Sequence, residues 1–229
     1  MTIQNVLYDE RDLVRARQVR DENDYATRFP HHDLWWKSDA LIKWIGVLDR
    51  FKELYPDNGV TVVDLGCARG CVPHIISSWG NTVTGVDCTE TGGRLDHDCE
   101  GSEVTMINAD IWEWFPAVED ESVDVFTDLC SITHFCGRGG VCPDGESVLN
   151  NVFREVYRCL KPGGHIIISS DCQVDCDTGE FVSPETFIAA ANAQGLILEG
   201  KWRNRKKDLF RVAGHPNLNV VSLTFKKNV

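Results

Sequence analysis

The sequence predicts an α/β fold: a mostly parallel sheet with helices packed on both of its faces. Three observations predict it. Short apolar runs of strand length alternate with segments whose apolar residues recur at helical spacing. The first of these strands, inside "VVDLGCARG" (62–70), ends in a carboxylate and then a glycine turn, as a strand entering a helical crossover does. The last two strand-like runs are joined by "RNRKKDLFRVAGHPN", which has no helical pattern, so they are expected as an antiparallel pair at one edge.

Taken in order, residues 1–34 are polar and mixed in charge. "SDALIKWIGVLDRFKEL" (38–54) reads as a helix, because Leu41, Trp44, Ile45 and Leu48 fall on one face; Ser38 suits an N-cap, and Gly46 lies off that face and weakens the pattern. Pro56 to Gly59 make a turn, and residues 1–56 are expected as an N-terminal helical cap on a domain spanning 57–229. Strands follow at 60–65, 82–87, 103–110, 122–131 and 165–170. Helices are expected at 71–80 and 146–160, the second with a continuous apolar face and a "KPGG" stop. Ser183, Pro184 and Gly195 bracket one more helix as N-cap, first-turn proline and C-terminal glycine. "GLILEGKW" and "LNVVSLTF" close the chain as two strands, and the glycine-rich link at 88–101 should be an irregular crossover.

Composition excludes several partners. The formal net charge of −12, with no basic stripe, argues against a nucleic-acid backbone, which needs clustered Lys and Arg. The first twenty residues are charged throughout, unlike a signal peptide, and no apolar run approaches the ~20 residues that span a bilayer, so a cytoplasmic location is expected. The ten cysteines form no C-x-x-C pair and are expected to be reduced.

The first glycine turn decides the ligand class. In open α/β sheets a ligand sits at the carboxyl ends of the strands, near the switch in strand order. The dinucleotide version of this turn is G-x-G-x-x-G, with a pyrophosphate on a helix N-terminus. Here the turn runs Asp64-Leu65-Gly66-Cys67-Ala68-Arg69-Gly70, so the second glycine is absent and an acid ends the strand. An anion beside a pyrophosphate costs energy, whereas an anion beside an ammonium gains it. A nucleoside carrying a cationic amino-acid tail and no phosphate fits, and S-adenosylmethionine (SAM) is such a ligand. Asp87 ends the second strand, where it can accept from ribose hydroxyls. Asp110 follows the third, where it can accept from an adenine amino group beside Ile111 and Trp112. The competing reading is that these strand-end acids cap the helices that follow them.

"VVDLGCARG", "VTGVD", "NADIW", "SVDVFTDLCSITHF" and "LKPGGHIIISS" resemble the ordered motifs of class I SAM-dependent methyltransferases, over 60–170 and, by topology, the two last strands. The resemblance implies a Rossmann-like three-layer sandwich: seven strands, mostly parallel, the last antiparallel. It implies that Asp64 and Gly66 hold the methionine portion, Asp87 the ribose, and Asp110 with Ile111 the adenine. The expected cofactor contacts are then Asp64, Gly66, Cys67, Ala68, Asp87, Cys88, Asp110, Ile111, Asp128 and Leu129. Ala68 departs from the pattern, which usually has a second glycine there.

The methyl acceptor is expected to be a small molecule, methylated at a hydroxyl oxygen. The loop "TDLCSITHF" does not match the N/D-P-P-Y pattern of nucleobase and glutamine methyltransferases. It offers Asp128, Ser131, Thr133 and His134, the last as candidate base; His32 and its neighbour His31 are alternatives. Trp35 and Trp36 are expected to wall the substrate, and Arg138, in a glycine-rich loop, to pair with a substrate anion. Mg²⁺ between Asp128 and Asp171 is a less favoured variant, because Cys172 stands where an Asn would be expected. Methylation of a protein side chain, or a SAM-binding subunit without activity, are the alternatives. The oligomeric state stays open, a homodimer included.

Overall fold

The computed structural model describes residues 4–28, 41–68, 70–88, 103–132, 135, 148–173, 182–203 and 218–229. Among them nine strands form one sheet. They are β1 (Gln4–Leu7), β2 (Thr61–Leu65), β3 (Thr82–Asp87), β4 (Val104–Asn108), β5 (Val123–Leu129), β6 (Leu160–Gln173), β7 (Leu196–Leu198), β8 (Lys201–Arg203) and β9 (Leu218–Lys227). Helices α1 (Glu10–Glu22), α2 (Tyr25–Arg28), α3 (Leu41–Leu54), α4 (Cys71–Ser78), α5 (Ile111–Trp114), α6 (Val148–Cys159) and α7 (Pro184–Ala193) accompany them.

The strand order is β4-β3-β2-β5-β6-β9, with β9 antiparallel to β6 and β7 antiparallel to β9. These seven strands are the expected α/β sandwich with an antiparallel last strand. Its two cores lie on opposite faces. One gathers Val63, Phe126, Ile166 and Ile168 under α6 and α7. The other gathers Val62, Val125 and Ile167 under α3 and α4. Residue parity assigns the faces, since successive side chains of a strand point to opposite sides.

Two features depart from the sequence reading. The first is β1: "QNVL" carries no strand pattern, yet it adds to the sheet by pairing antiparallel with β9 at Val6 and Leu7. The N-terminal segment is therefore helical only in part. The second is "GLILEGKW", expected as one strand. Gly200 has φ +89°, a conformation that suits glycine, and it divides the run into β7 and β8. β7 stays on β9, while β8 pairs parallel with β1. The long β9 is thus flanked on one side by two short strands in tandem. The link at 88–101, past Cys88, and the proposed cap Ser38 lie outside the described residues.

Gly46 has a packing reason. A Cβ at this position would lie 1.8 Å from the Tyr8 hydroxyl. Tyr8 is buried, and burial pushes its phenol up to about 12. The helix therefore gives up propensity at Gly46 so that the residue following β1 can seat against it. At the opposite end of α3, the Tyr55 hydroxyl lies 2.5 Å from His165 Nδ1, and His165 Nε2 pairs with Glu199. Burial holds the imidazole below its usual range. No helix among the described residues is long and apolar enough to cross a membrane.

Gly46→Ala should destabilise the protein by about 1–3 kcal/mol through overpacking, despite alanine's better helix propensity. In a Tyr8→Leu background the same change should become neutral or stabilising. Thermal unfolding of the four proteins tests the pair, and an equal loss in both backgrounds would refute the contact.

Candidate functional site

The strand order reverses between β2 and β5: β3 and β4 lie to one side of β2, and β5 and β6 to the other. A crevice at the carboxyl ends of the strands is expected there. The acids singled out from the sequence collect along this edge. Asp64 is the penultimate residue of β2, Asp87 ends β3, and Asp128 is penultimate in β5.

Asp64 is buried at 3% exposure. Its Oδ1 accepts from the Thr127 hydroxyl at 2.5 Å. Burial pushes its carboxyl up to about 8, and the charges of Asp128 and Asp87 push the same way. Asp128 is also fully buried and raised to about 7, by burial against the hydrogen bonds it accepts. Its Oδ1 takes the N–H groups of Ser131 (3.1 Å) and Ile132 (2.9 Å), together with the Ser131 hydroxyl. Its Oδ2 is buried without a hydrogen-bond partner among the described residues.

The turn after β2 is built from left-handed backbone: Gly66 at φ +63°, Ala68 at +48° and Gly70 at +78°. Ala68 therefore adopts the conformation that a glycine would take freely, at a cost on the order of 1 kcal/mol. Asp87 holds it there, its Oδ2 accepting the Ala68 N–H at 2.7 Å. The N–H groups of Gly66 and Cys67 reach back to the Val86 carbonyl, so β3 fixes the turn of β2. Cys67 is buried, and burial pushes its thiol up. Gly85 makes room for it, since a Cβ there would lie 2.8 Å from the Cys67 sulfur.

On the β4 side, Asp110 caps α5 by accepting the Trp112 N–H at 2.8 Å. One oxygen of this carboxylate, Oδ1, thus fills the capping role. Ile111 is buried beside it, and the Trp112 indole donates to the Phe135 carbonyl at 3.3 Å. Cys88 is half-buried after β3, and Leu129, at the end of β5, packs on the core under α3. The cofactor set from the sequence is brought to one edge of the sheet. Thr133, His134, His32, His31, Trp35, Trp36 and Arg138 lie outside the described residues. Among the described residues no group of three or more His, Cys, Asp and Glu side chains is placed to hold a metal.

Two contributors, Thr127 and Lys43, went unread in the sequence, and for Ser131, which its loop offered, the contact it makes was not legible there. Thr127 is a polar residue inside an apolar strand, a visible signal whose partner Asp64 was not. Ser131 folds back over the glycine turn: a Cβ on Gly66 would lie 2.1 Å from Ser131 Cβ. Lys43, near the start of α3, makes an ion pair with Asp171 of β6 at 2.8 Å.

Comparison with known proteins shows what the chain is similar to. Residues 63–168 match a family model described as a methyltransferase domain. A curated relative, the ubiquinone biosynthesis O-methyltransferase of Cupriavidus pinatubonensis, is 26% identical over 156 residues, covering 65% of this chain and 57% of that protein. The chain spans little more than half the length of the curated relatives it matches. Among solved structures, Burkholderia thailandensis 1,6-didemethyltoxoflavin-N1-methyltransferase, with S-adenosylhomocysteine bound, shares 14% identity at a TM-score of 0.59, over 100% of this chain and 94% of that one. Phosphoethanolamine N-methyltransferase 2 of Haemonchus contortus shares 18% identity at 0.62, over 93% and 60%. Both are likenesses of fold.

Gly66→Ala should lower stability by about 1–3 kcal/mol, from backbone strain and the clash with Ser131. Adding Ser131→Gly should recover the clash part only. Additive losses in a denaturant double-mutant cycle would show that Ser131 does not press on the turn.

Proposed function

We propose that the chain is a class I, SAM-dependent methyltransferase, a reading supported by the methyltransferase-domain match over residues 63–168 and by the shared fold, and that it transfers a methyl group from SAM to a hydroxyl oxygen of a small-molecule acceptor. The observation that carries this reading is the Asp64 carboxyl, buried beside a turn of three left-handed residues and held up to about 8. A cation placed beside such a carboxyl draws it into its ionised form and is held by the charge that appears, so the position is receptive to a cation. The orphaned Asp128 Oδ2 adds a second buried acceptor on the same edge. The residues present fit the ligand: Asp64 and Gly66 would hold its amino-acid tail, Asp87 its ribose, and Ile111 and Trp112 the face of its base. SAM would supply an activated methyl on a sulfonium.

The choice of oxygen rests on the names of the curated relatives, which are O-methyltransferases. His134 remains the proposed base and Arg138 the proposed contact to a substrate anion, with Trp35 and Trp36 as walls.

The pH dependence of binding tests the central point. In the ligand-free protein Asp64 carries a proton at pH 7. A cation beside it favours the carboxylate, so binding lowers that pKa and expels a proton. Affinity for SAM should therefore rise with pH between about 6 and 8, by up to tenfold per unit, and level off above. Calorimetry in buffers of different ionisation enthalpy should record the released proton. Asp64→Asn should bind more weakly and lose the slope. An affinity independent of pH in the native protein would refute the assignment.

A further inference from the structure

A second charged group stands on the same edge, away from the turn that follows β2. β5 ends at Leu129, opposite Ser169 of β6, but β6 continues to Gln173, paired there only with β9 down to Leu218. The two strands rise about 13 Å beyond the end of β5, at ~3.3 Å per residue, and form a wall over the acceptor end of the crevice. Asp171 is on this wall. Its parity with Ile167 turns it to the face covered by α3.

Lys43, near the start of α3, meets it there. The ammonium lies 2.8 Å from Asp171 Oδ1, and the two side chains are 14% and 24% exposed. The pair is largely enclosed yet keeps some access to solvent. Cys130 lies beneath it, its sulfur accepting the Asp171 N–H at 3.2 Å. Cys130 has φ +60°, so the chain leaves β5 by a sharp turn directly below the ammonium. Asp171 and Cys130 together raise the lysine above its ordinary range, against the opposing effect of burial, and it stays a cation throughout the physiological range. Among the described residues, other charge on this edge comes from Asp64, Asp87, Asp110 and Asp128, all acids.

We propose that Lys43, fixed by Asp171, is the group that receives the nucleophilic oxygen of the acceptor as its anion, and that the acceptor is accordingly an acidic hydroxyl of the phenol or enol class. This rests on the methyltransferase reading above and names its substrate class. A fixed cation at low local dielectric favours an oxyanion far more than water does. An aliphatic alcohol is too weak an acid to profit from one such contact. The acceptor binds as its anion, its O–H proton released to solvent, and Lys43 holds the oxyanion. That oxygen then forms the new O–C bond with the sulfonium methyl. The C–S bond breaks with its electron pair going to sulfur, so the negative and positive charges cancel and S-adenosylhomocysteine is left.

The test uses the full chain saturated with S-adenosylhomocysteine and 4-nitrophenol as the probe, since its phenol and phenolate absorb at different wavelengths. In the native protein the bound probe should ionise about one pH unit or more below its value in water, a tenfold preference for the phenolate. Lys43→Met should abolish that shift while calorimetry still records cofactor binding. Lys43→Arg, which keeps the charge and guards against a folding failure of the methionine variant, should retain it. No shift in the native protein, or an equal shift in Lys43→Met, would overturn the assignment and leave Lys43–Asp171 as a latch between α3 and β6. Failure of the native protein to bind S-adenosylhomocysteine or SAM at all would instead overturn the methyltransferase reading.

Discussion

Enclosing Asp64 at the end of β2 is unfavourable, because a buried carboxyl loses water that one hydroxyl, that of Thr127, only partly replaces. The immediate consequence is a proton retained near neutral pH. The less immediate one is geometric. β2 is hydrogen-bonded on both sides, to β3 and β5, so Asp64 cannot turn out to solvent. The chain has to leave the strand at once, and it does so through the left-handed residues Gly66 and Ala68. The neighbouring strands then brace that exit: Val86 accepts its first N–H groups, Asp87 takes the next, and Ser131 closes over Gly66. The strand-end acid and the strained turn form one arrangement, and each residue in it touches another.

The parallel strands were legible because burial on both faces writes nearly continuous apolar runs into the sequence, and β2, β3, β4 and β5 fall within the predicted ranges. Helices α3, α4, α6 and α7 were legible from apolar spacing and caps. β1 was not, for its four residues have no pattern of their own. Its place is set by β9, more than two hundred residues later, and by Tyr8 fitting over Gly46. Gly46 was visible as a defect in a helical stripe; the phenol that fills the defect was not. Gly200 could have been read as a break, but the alternation around it read as one strand, and the outward step of β8 depends on β1 being there to pair with.

The candidate site shows the same division. Acids at successive strand ends could be listed from the sequence because strand ends could be. What each acid touches could not, and the structure separates them. Asp87 secures Ala68, Asp110 caps α5, Asp128 gathers the start of its own loop, and Asp64 has one hydroxyl. The departure at Ala68 finds its reason in this. The glycine conformation is kept without the glycine, because Asp87 supplies a charge-assisted hydrogen bond that offsets a strain of about 1 kcal/mol. Thr127 and Lys43 went unread because their significance comes from partners 63 and 128 positions away, which only the fold brings near.

Charge is arranged unevenly along this edge. Toward β2 and β3 the carboxyls stand close together, and burial leaves Asp64 and Asp128 poised between protonated and ionised. Toward β6 the ammonium of Lys43 is paired with Asp171 and held above its ordinary range. On the proposed reading the first side takes the cationic donor and the second the anionic nucleophile, and the turn at Cys130 lies between them. A reaction that joins a positive and a negative partner into two neutral products loses its charge as it proceeds. Fixed groups of opposite sign, set apart on a rigid sheet, can assemble such partners without holding the products with equal strength. The overhang of β6 and β9 supplies that separation, since it carries Asp171 past the end of β5 and so keeps the lysine from collapsing onto the carboxyls of β2 and β3.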